Sequence, residues 1–242
     1  YGDWSSDVCS SDLPEVILKA LTSPEIRAAA NYVVIGSEKV LSNISDRVLT
    51  DNISVLDLDN FTVNNALTHK PLPESGKASV EYILKGLDLA INGKIDALVT
   101  APISKEAIKL AGYNYAGHTE LLKEKTSVEN VVMFMVGKGL RVSFVTTHLA
   151  VNEISGAINQ ENVFSTIQIT ATGLKTFFGI DQPKIAVCGL NPHCGDGDRF
   201  GTEERDVIIP AIERAQKMGI NCHGPLSADT VFLKRSMESL IL

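Results

Sequence analysis

The chain has 242 residues, of which 44% are hydrophobic and 21% charged, so it holds enough apolar material for a large core built as one α/β domain or as two lobes. A net charge of −7 and the lack of any Lys/Arg run disfavour a nucleic-acid footprint. No stretch reaches the roughly eighteen apolar residues of a membrane span, and no basic segment leads into an apolar one at the start; a cytoplasmic protein without a membrane partner is expected.

Residues 1–13 are rich in Ser and Asp, repeat a Ser-Ser-Asp triplet, and contain Trp4, the only tryptophan. They resemble a translated sequencing adapter and fit poorly with the rest of the chain, so they are read as a non-native leader and left out of the fold. From Pro14 the alternation becomes regular. Residues 14–21 have a proline at the start and apolar residues at helical spacing, and residues 32–35 and 54–58 read as short strands. Residues 76–92 place Val80, Ile83, Leu84, Leu87 and Ile91 on one helical face, and Gly93 closes that helix. Residues 95–100 are mostly apolar and read as a strand whose end opens into a loop carrying Ser104 and Lys105. The segment Lys70-Pro-Leu-Pro-Glu-Ser-Gly reads as a loop rather than a linker between domains.

Further strands are predicted at 131–136 and 141–146. The Gly137-Lys138-Gly139 turn between them is short enough for an antiparallel hairpin, which argues against a purely parallel sheet. A helix over about 161–178 precedes a strand at 184–190, and another helix spans about 202–217. The four cysteines, Cys9, Cys188, Cys194 and Cys222, show no CxxC pairing and are expected as free thiols.

His148, in Val-Thr-Thr-His-Leu, and His193, in Gly-Leu-Asn-Pro-His-Cys-Gly-Asp-Gly, each stand where an apolar run gives way to a polar loop. In an open, mostly parallel sheet, ligands sit beyond the carboxyl ends of the strands, so imidazoles released there can converge on one metal ion. Taken alone, a histidine at a strand end is more often a hydrogen-bonded structural residue. The glycine-rich stretch Gly195-Asp-Gly-Asp-Arg-Phe-Gly201 comes after a strand and precedes a helix. It matches neither the Rossmann spacing nor a Walker motif, and it is either a tight turn or a ligand-contacting loop. Its aspartates would repel a phosphate, which favours the metal side of a site. Glu203 and Glu204 read as negative charge in the first turn of a helix, and His69 and His223 as solvated or core-edge residues.

Five motifs then occur in register: Gly117-His118-Thr119-Glu120, Thr146-Thr147-His148-Leu149, Gly189-Leu190-Asn191-Pro192-His193 with Gly195, Gly201-Thr202-Glu203-Glu204, and Gly224-Pro225-Leu226-Ser227-Ala228-Asp229-Thr230. In this order they resemble the 4-hydroxythreonine-4-phosphate dehydrogenase family of vitamin B6 biosynthesis, from about residue 14 to residue 232. The resemblance implies an α/β, two-lobed, mixed-sheet fold similar to isocitrate and isopropylmalate dehydrogenases, incomplete here, with residues 14–242 as a partial dehydrogenase domain. It also implies a homodimer, and NAD bound without Rossmann glycines through residues not identified in this sequence. His148 and His193 become two of three histidine ligands to a divalent metal, zinc, magnesium, manganese or cobalt. His118 and Thr119 become substrate contacts near the phosphate-bearing end of a phosphorylated hydroxy acid. Asp229 faces the cleft, and Lys105 matches a family lysine; the proton acceptor is a neutral Lys105 or a water relayed to Asp229.

The implied reaction is oxidation, with decarboxylation, of 4-phosphohydroxy-L-threonine. The alternatives are oxidation of D-erythronate or D-threonate 4-phosphate, as in a sister branch, and a metal-binding module without catalysis. The chain also departs from the family. The opening glycine-rich loop survives only as Pro14-Glu15, and the Tyr-His-Asp-Gln-Gly motif carrying the third histidine is not reached. Residues 236–242 look unlike the expected continuation. Two metal ligands in place of three imply little or no dehydrogenase activity for this polypeptide.

Overall fold

The computed structural model describes residues 12–44, 52–62, 71–115, 117–137, 139–232 and 239–241. His69 and Cys9 lie outside them, as do residues 1–11 of the segment read as a leader. The chain divides into two compact units, Tyr1–Ser127 and Val128–Leu242.

In the first unit, α1 (Asp12–Leu21), α2 (Pro24–Ala29), β1 (Tyr32–Ile35), α3 (Glu38–Ile44), β2 (Ile53–Leu56), α4 (Pro73–Ile91), α5 (Lys105–Leu110) and α6 (His118–Thr126) occur in order. Helix α1 begins two residues inside the segment excluded on composition. Strands β1 and β2 pair in parallel, from Tyr32 opposite Ile53 to Ile35 opposite Leu56. Leu18 and Leu21 of α1, Leu41 of α3 and Ile53 of β2 form one small core against them. A second core joins Val80 and Ile83 of α4 to Ile108 of α5 and Leu121 of α6. Helix α4 starts three residues earlier than its periodicity predicts. Pro73 occupies its first turn, and Ser75 Oγ accepts the backbone N–H of Leu72 at 3.2 Å. The apolar stripe also ends early, with Ile91 65% exposed.

Residues 95–100 do not form a strand. Their apolar pattern lacks a ladder, because no described strand pairs with them, and Val99 is 91% exposed. Backbone groups in a strand need a partner strand, and local composition cannot supply one.

The second unit holds β3 (Met133–Gly137), β4 (Leu140–Phe144), α7 (Val151–Ala157), α8 (Gln160–Phe178), β5 (Ile185–Cys188), a 3₁₀ turn (Pro192–Gly195), a π-helical turn (Glu204–Ile208) running into α9 (Ile209–Lys217), β6 (Cys222–Leu226), α10 (Ala228–Val231) and β7 (Ser239–Ile241). Strands β3 and β4 form the expected antiparallel hairpin, with Gly137 opposite Leu140 and Gly139 at φ +85° in the turn. The sheet runs β3-β4-β7-β5-β6, and every pair beyond the hairpin is parallel. Strand β6 was not predicted, because Gly224 and Pro225 interrupt its pattern. Strand β7 lies in the region that looked foreign to the family.

Strand β5 is buried along its whole length, and its alternation divides two cores. Ile185 and Val187 pack with Phe164, Ile167 and Leu174 of α8 and with Ile208, Ile212 and Ala215 of α9 and the turn before it. Ala186 and Cys188 pack on the other face with Val142 and Val231. Side chains of Asn159 and Asn162 cap the start of α8, Gly179 in the left-handed region ends it, and the buried Ser143–Thr170 hydroxyl pair at 2.7 Å ties it to β4.

Helix α4 crosses α5 closely enough that a Cβ at Gly76 would overlap the carbonyl of Ala107, whereas a Cβ at Gly156 of α7 would meet nothing within 4 Å. The same substitution should therefore have opposite effects at the two sites. G76A is expected to destabilise the protein by about 1–3 kcal/mol through overpacking. G156A should be neutral or stabilise by up to about 1 kcal/mol through helix propensity. Urea unfolding of both variants checks the pair.

Candidate functional site

Strands β5 and β6 are parallel neighbours, so the loops leaving their carboxyl ends start side by side. The loop after β5 carries His193, and the turn after β6 carries Ser227 and Asp229. They meet: His193 Nδ1 lies 3.2 Å from Asp229 Oδ2, and the same oxygen accepts the Ser227 hydroxyl at 3.0 Å. The two side chains are 71% and 57% exposed, so this contact contributes orientation rather than stability. An imidazole held through Nδ1 keeps Nε2 turned to other partners, the arrangement found around metal-ligating histidines. The close packing of the two strands depends on Gly224, at φ +156°, where a Cβ would overlap the carbonyl of Val187.

The backbone that presents His193 is unusual. His193, Cys194, Gly195 and Asp196 are successive left-handed residues, with φ of 52°, 57°, 81° and 43°. The three non-glycine residues each cost about 1–2 kcal/mol there, and such stretches persist where surrounding groups hold them. Here the π-helical turn does so. Glu204, 5% exposed, accepts the backbone N–H of Asn191 at Oε1 (2.7 Å) and the Asn191 amide at Oε2 (2.8 Å). Glu203 accepts the same amide at 2.7 Å and also takes the Ser155 hydroxyl. These two bonds hold the Glu203 carboxyl below its usual range, with Ser155 the larger cause. Beyond the turn, Arg199 pairs with Asp196, and Arg205 pairs with Asp198 and Asp206.

His148 stands four residues past the end of β4, exposed, in the left-handed region at φ +59°. Strand β4 is parallel to β7, and β7 to β5, so His148 and His193 leave the same edge of one sheet. One strand separates their own, a spacing of about 10 Å between the strand axes. Among the described residues, no three His, Cys, Asp or Glu side chains converge as a metal cluster. His223, on β6, is exposed.

Lys105 and His118 belong to the first unit. Lys105 is exposed at the first position of α5, where the helix dipole disfavours a cation; Ser104 caps that helix by accepting the Ala107 N–H at 3.2 Å. His118 opens α6 after Gly117 and does not cap it; Thr119 comes next, exposed. His118 Nε2 is buried and has no hydrogen-bond partner among the described residues. Burial lowers the His118 pKa, against a hydrogen bond to the Ala101 backbone that raises it. The ring is thus kept neutral at pH 7.

Cys188, Cys194 and Cys222 are free thiols, as expected. Burial, and then the neighbouring Cys194, push Cys188 up to about 11. Burial first, then Glu204, also raise Cys194, although a hydrogen bond to the Gly189 backbone opposes this. Neither thiol is an activated nucleophile.

Sequence reasoning missed the parts played by Asn191, Glu204 and Ser227. Asn191 and the two glutamates were visible only as a motif and as helix-start charge. Their contact joins positions 12 and 13 residues apart, and no local periodicity marks it.

An α/β sheet with imidazoles and a carboxylate gathered at the carboxyl edge of its parallel strands is the architecture of a small-molecule enzyme. Its kind follows from comparison with known proteins. A family described as pyridoxal phosphate biosynthetic protein PdxA matches residues 17–240, and the chain belongs to this dehydrogenase family. The match continues through residues that looked unlike the family, into β7. A 4-hydroxythreonine-4-phosphate dehydrogenase of Desulforapulum autotrophicum is 39% identical over 236 residues, which cover 90% of this chain and 69% of that protein. A Clostridium botulinum relative, provisionally named a D-threonate 4-phosphate dehydrogenase, is 35% identical over 236 residues, covering 90% and 70%. The crystal structure of a 4-hydroxythreonine-4-phosphate dehydrogenase from Burkholderia phymatum superposes with a TM-score of 0.83 at 32% identity, covering 98% of this chain and 77% of that one.

His118 generates a pH prediction. Its folded pKa lies below the ordinary 6.5, so its contribution to stability is complete above that pH and is lost as pH falls toward the lowered value. The imidazole should titrate by NMR with a midpoint below 6.5. H118Q should flatten the loss of thermal stability between about pH 7 and 5. A midpoint at or above the ordinary value would refute the burial argument.

Proposed function

We propose that the protein is a divalent-metal- and NAD-dependent dehydrogenase of 4-phosphohydroxy-L-threonine, acting with decarboxylation in pyridoxal phosphate biosynthesis. The observation that carries this reading is the His193–Asp229 pair at the carboxyl edge of the sheet, with His148 leaving the same edge.

The donor set suits a divalent cation. Asp229 fixes the His193 ring through Nδ1, and carboxylates at Glu203, Glu204, Asp196 and Asp198 surround its loop. His193 and His148 would hold the ion, with a further ligand from outside the described residues. When bound, the ion supplies Lewis acidity to a substrate alcohol, and NAD supplies a hydride acceptor. The Gly195–Gly201 loop does not fit the pyrophosphate of NAD, because its Asp196 and Asp198 would repel it, and no residue here is assigned to the nucleotide.

What the chain's own groups do can be stated further. Asp229 keeps the His193 proton on Nδ1. In the other unit, the neutral His118 gives its ring proton to the Ala101 backbone, so Nε2 is an acceptor suited to a hydroxyl or ammonium of the substrate. Thr119 adds a hydroxyl beside it. Lys105, the first residue of α5, or a water relayed to Asp229 is the proposed proton acceptor. Strand β3 leaves Met133, Met135 and Val136 exposed at the sheet edge, which supports assembly as a homodimer. A fold of the isocitrate and isopropylmalate dehydrogenase type, with two lobes, accords with the two compact units.

A second reading is oxidation of D-threonate 4-phosphate or its erythronate isomer, favoured by the name of the Clostridium botulinum relative. The two substrates differ chiefly in an amine versus a hydroxyl group.

NADH formation from each phosphorylated acid, with zinc, magnesium, manganese or cobalt added, tests both. D229N should lower metal affinity by about 10–100-fold, read by calorimetry. Metal binding with no NADH from any of the acids would leave a binding module in place of an enzyme.

A further inference from the structure

We propose that Glu204 is a positioning residue for His193, holding the left-handed turn that carries the imidazole. The inference rests on the reading of His193 as a metal ligand. Among the described residues, Glu204 is the only buried carboxylate, and no cation pairs with it. Burying an unpaired carboxylate is unfavourable unless hydrogen bonds replace water. Here the donors come from one residue, Asn191, two positions before His193: its backbone N–H meets Oε1 and its amide meets Oε2.

The carboxylate also packs against the far side of the turn. A Cβ at Gly189 would lie 3.0 Å from Oε1, and one at Gly195 would lie 3.1 Å from Oε2. Glycines on both flanks of His193 therefore let Glu204 close onto the loop. Between these anchors lie His193 and Cys194, whose positive φ values are unfavourable without such restraint. Glu203 alone does not supply it, because it reaches only the Asn191 side chain and is itself shared with Ser155. The π-helical turn that starts at Glu204 is the local device that brings both glutamates to one amide.

E204Q and E204A in the 242-residue chain test this. E204Q keeps an acceptor for the Asn191 N–H but turns an NH₂ toward the Asn191 amide, so it loosens the loop without emptying the pocket. Three readouts apply: amide exchange over residues 191–200, the His193 tautomer from ring ¹⁵N shifts, and zinc affinity by calorimetry. In E204Q, exchange of the Asn191 amide should rise by about tenfold. His193 should shift from the Nδ1–H toward the Nε2–H tautomer, and zinc binding should weaken by about 10–100-fold. E204A should show larger effects of the same sign. Unchanged exchange and an unchanged tautomer in E204Q would overturn the proposal, whatever the metal does. A loosened loop in E204Q, with no zinc bound by the parent chain, would sustain the positioning role and defeat the metal assignment.

Discussion

Parallel pairing along β4, β7, β5 and β6 is the constraint on which the site depends. A parallel strand cannot return through a tight turn, so each must be followed by a crossover, and all carboxyl ends open on the same edge of the sheet. Three of those ends carry the chemistry-bearing side chains: His148 after β4, His193 after β5, Asp229 after β6. The core enforces the arrangement. Because β5 is buried on both faces, with Ile185 and Val187 against α8 and α9 and Ala186 and Cys188 against Val142 and Val231, it cannot shift register without exposing one set. The position of His193 along the edge is thus fixed by apolar packing below it.

Packing sets where the loop begins, and polar contacts set its path. The turn at 193–196 is locally unfavourable, whereas the interactions around it are of two kinds. The exposed pairs of Arg199 with Asp196 and Arg205 with Asp198 lie in water and contribute little each. The contacts of Asn191 with Glu203 and Glu204 are partly shielded, and loss of Asn191 would leave the buried Glu204 carboxylate unsatisfied. The shielded set is the stronger restraint on the histidine, although it does not touch the ring.

The longest helices were legible because amphipathic spacing is a local signal: the predicted spans over 76–92 and 161–178 differ from α4 and α8 by only a few residues. The hairpin was legible from its glycines. The strand predicted at 95–100 shows the opposite case, since apolar composition marks a candidate strand and only a partner makes one. Strand β6 shows the converse: Gly224 and Pro225 break the pattern, yet the parallel neighbour β5 draws the segment into the sheet. Of the candidate site, the histidines and Asp229 were singled out through motifs, and their placement at strand ends was read from chain order. Glu204 was read as negative charge in the first turn of a helix. Its burial arises from tertiary packing against Gly189 and Gly195, which the sequence shows only as two more glycines.

Charge around His193 also constrains what can approach it. Asp196, Asp198, Glu203, Glu204 and Asp229 lie on or against its loop, and the nearby cations Arg199 and Arg205 are engaged by Asp196, Asp198 and Asp206. The resulting field favours a cation and opposes a phosphate. On the proposed reading, a phosphorylated hydroxy acid at this edge would turn its alcohol toward the carboxylates and its phosphate away from them. Repulsion from the carboxylates would orient such a molecule before any specific contact forms, and the same carboxylates would favour the divalent ion of the proposed function.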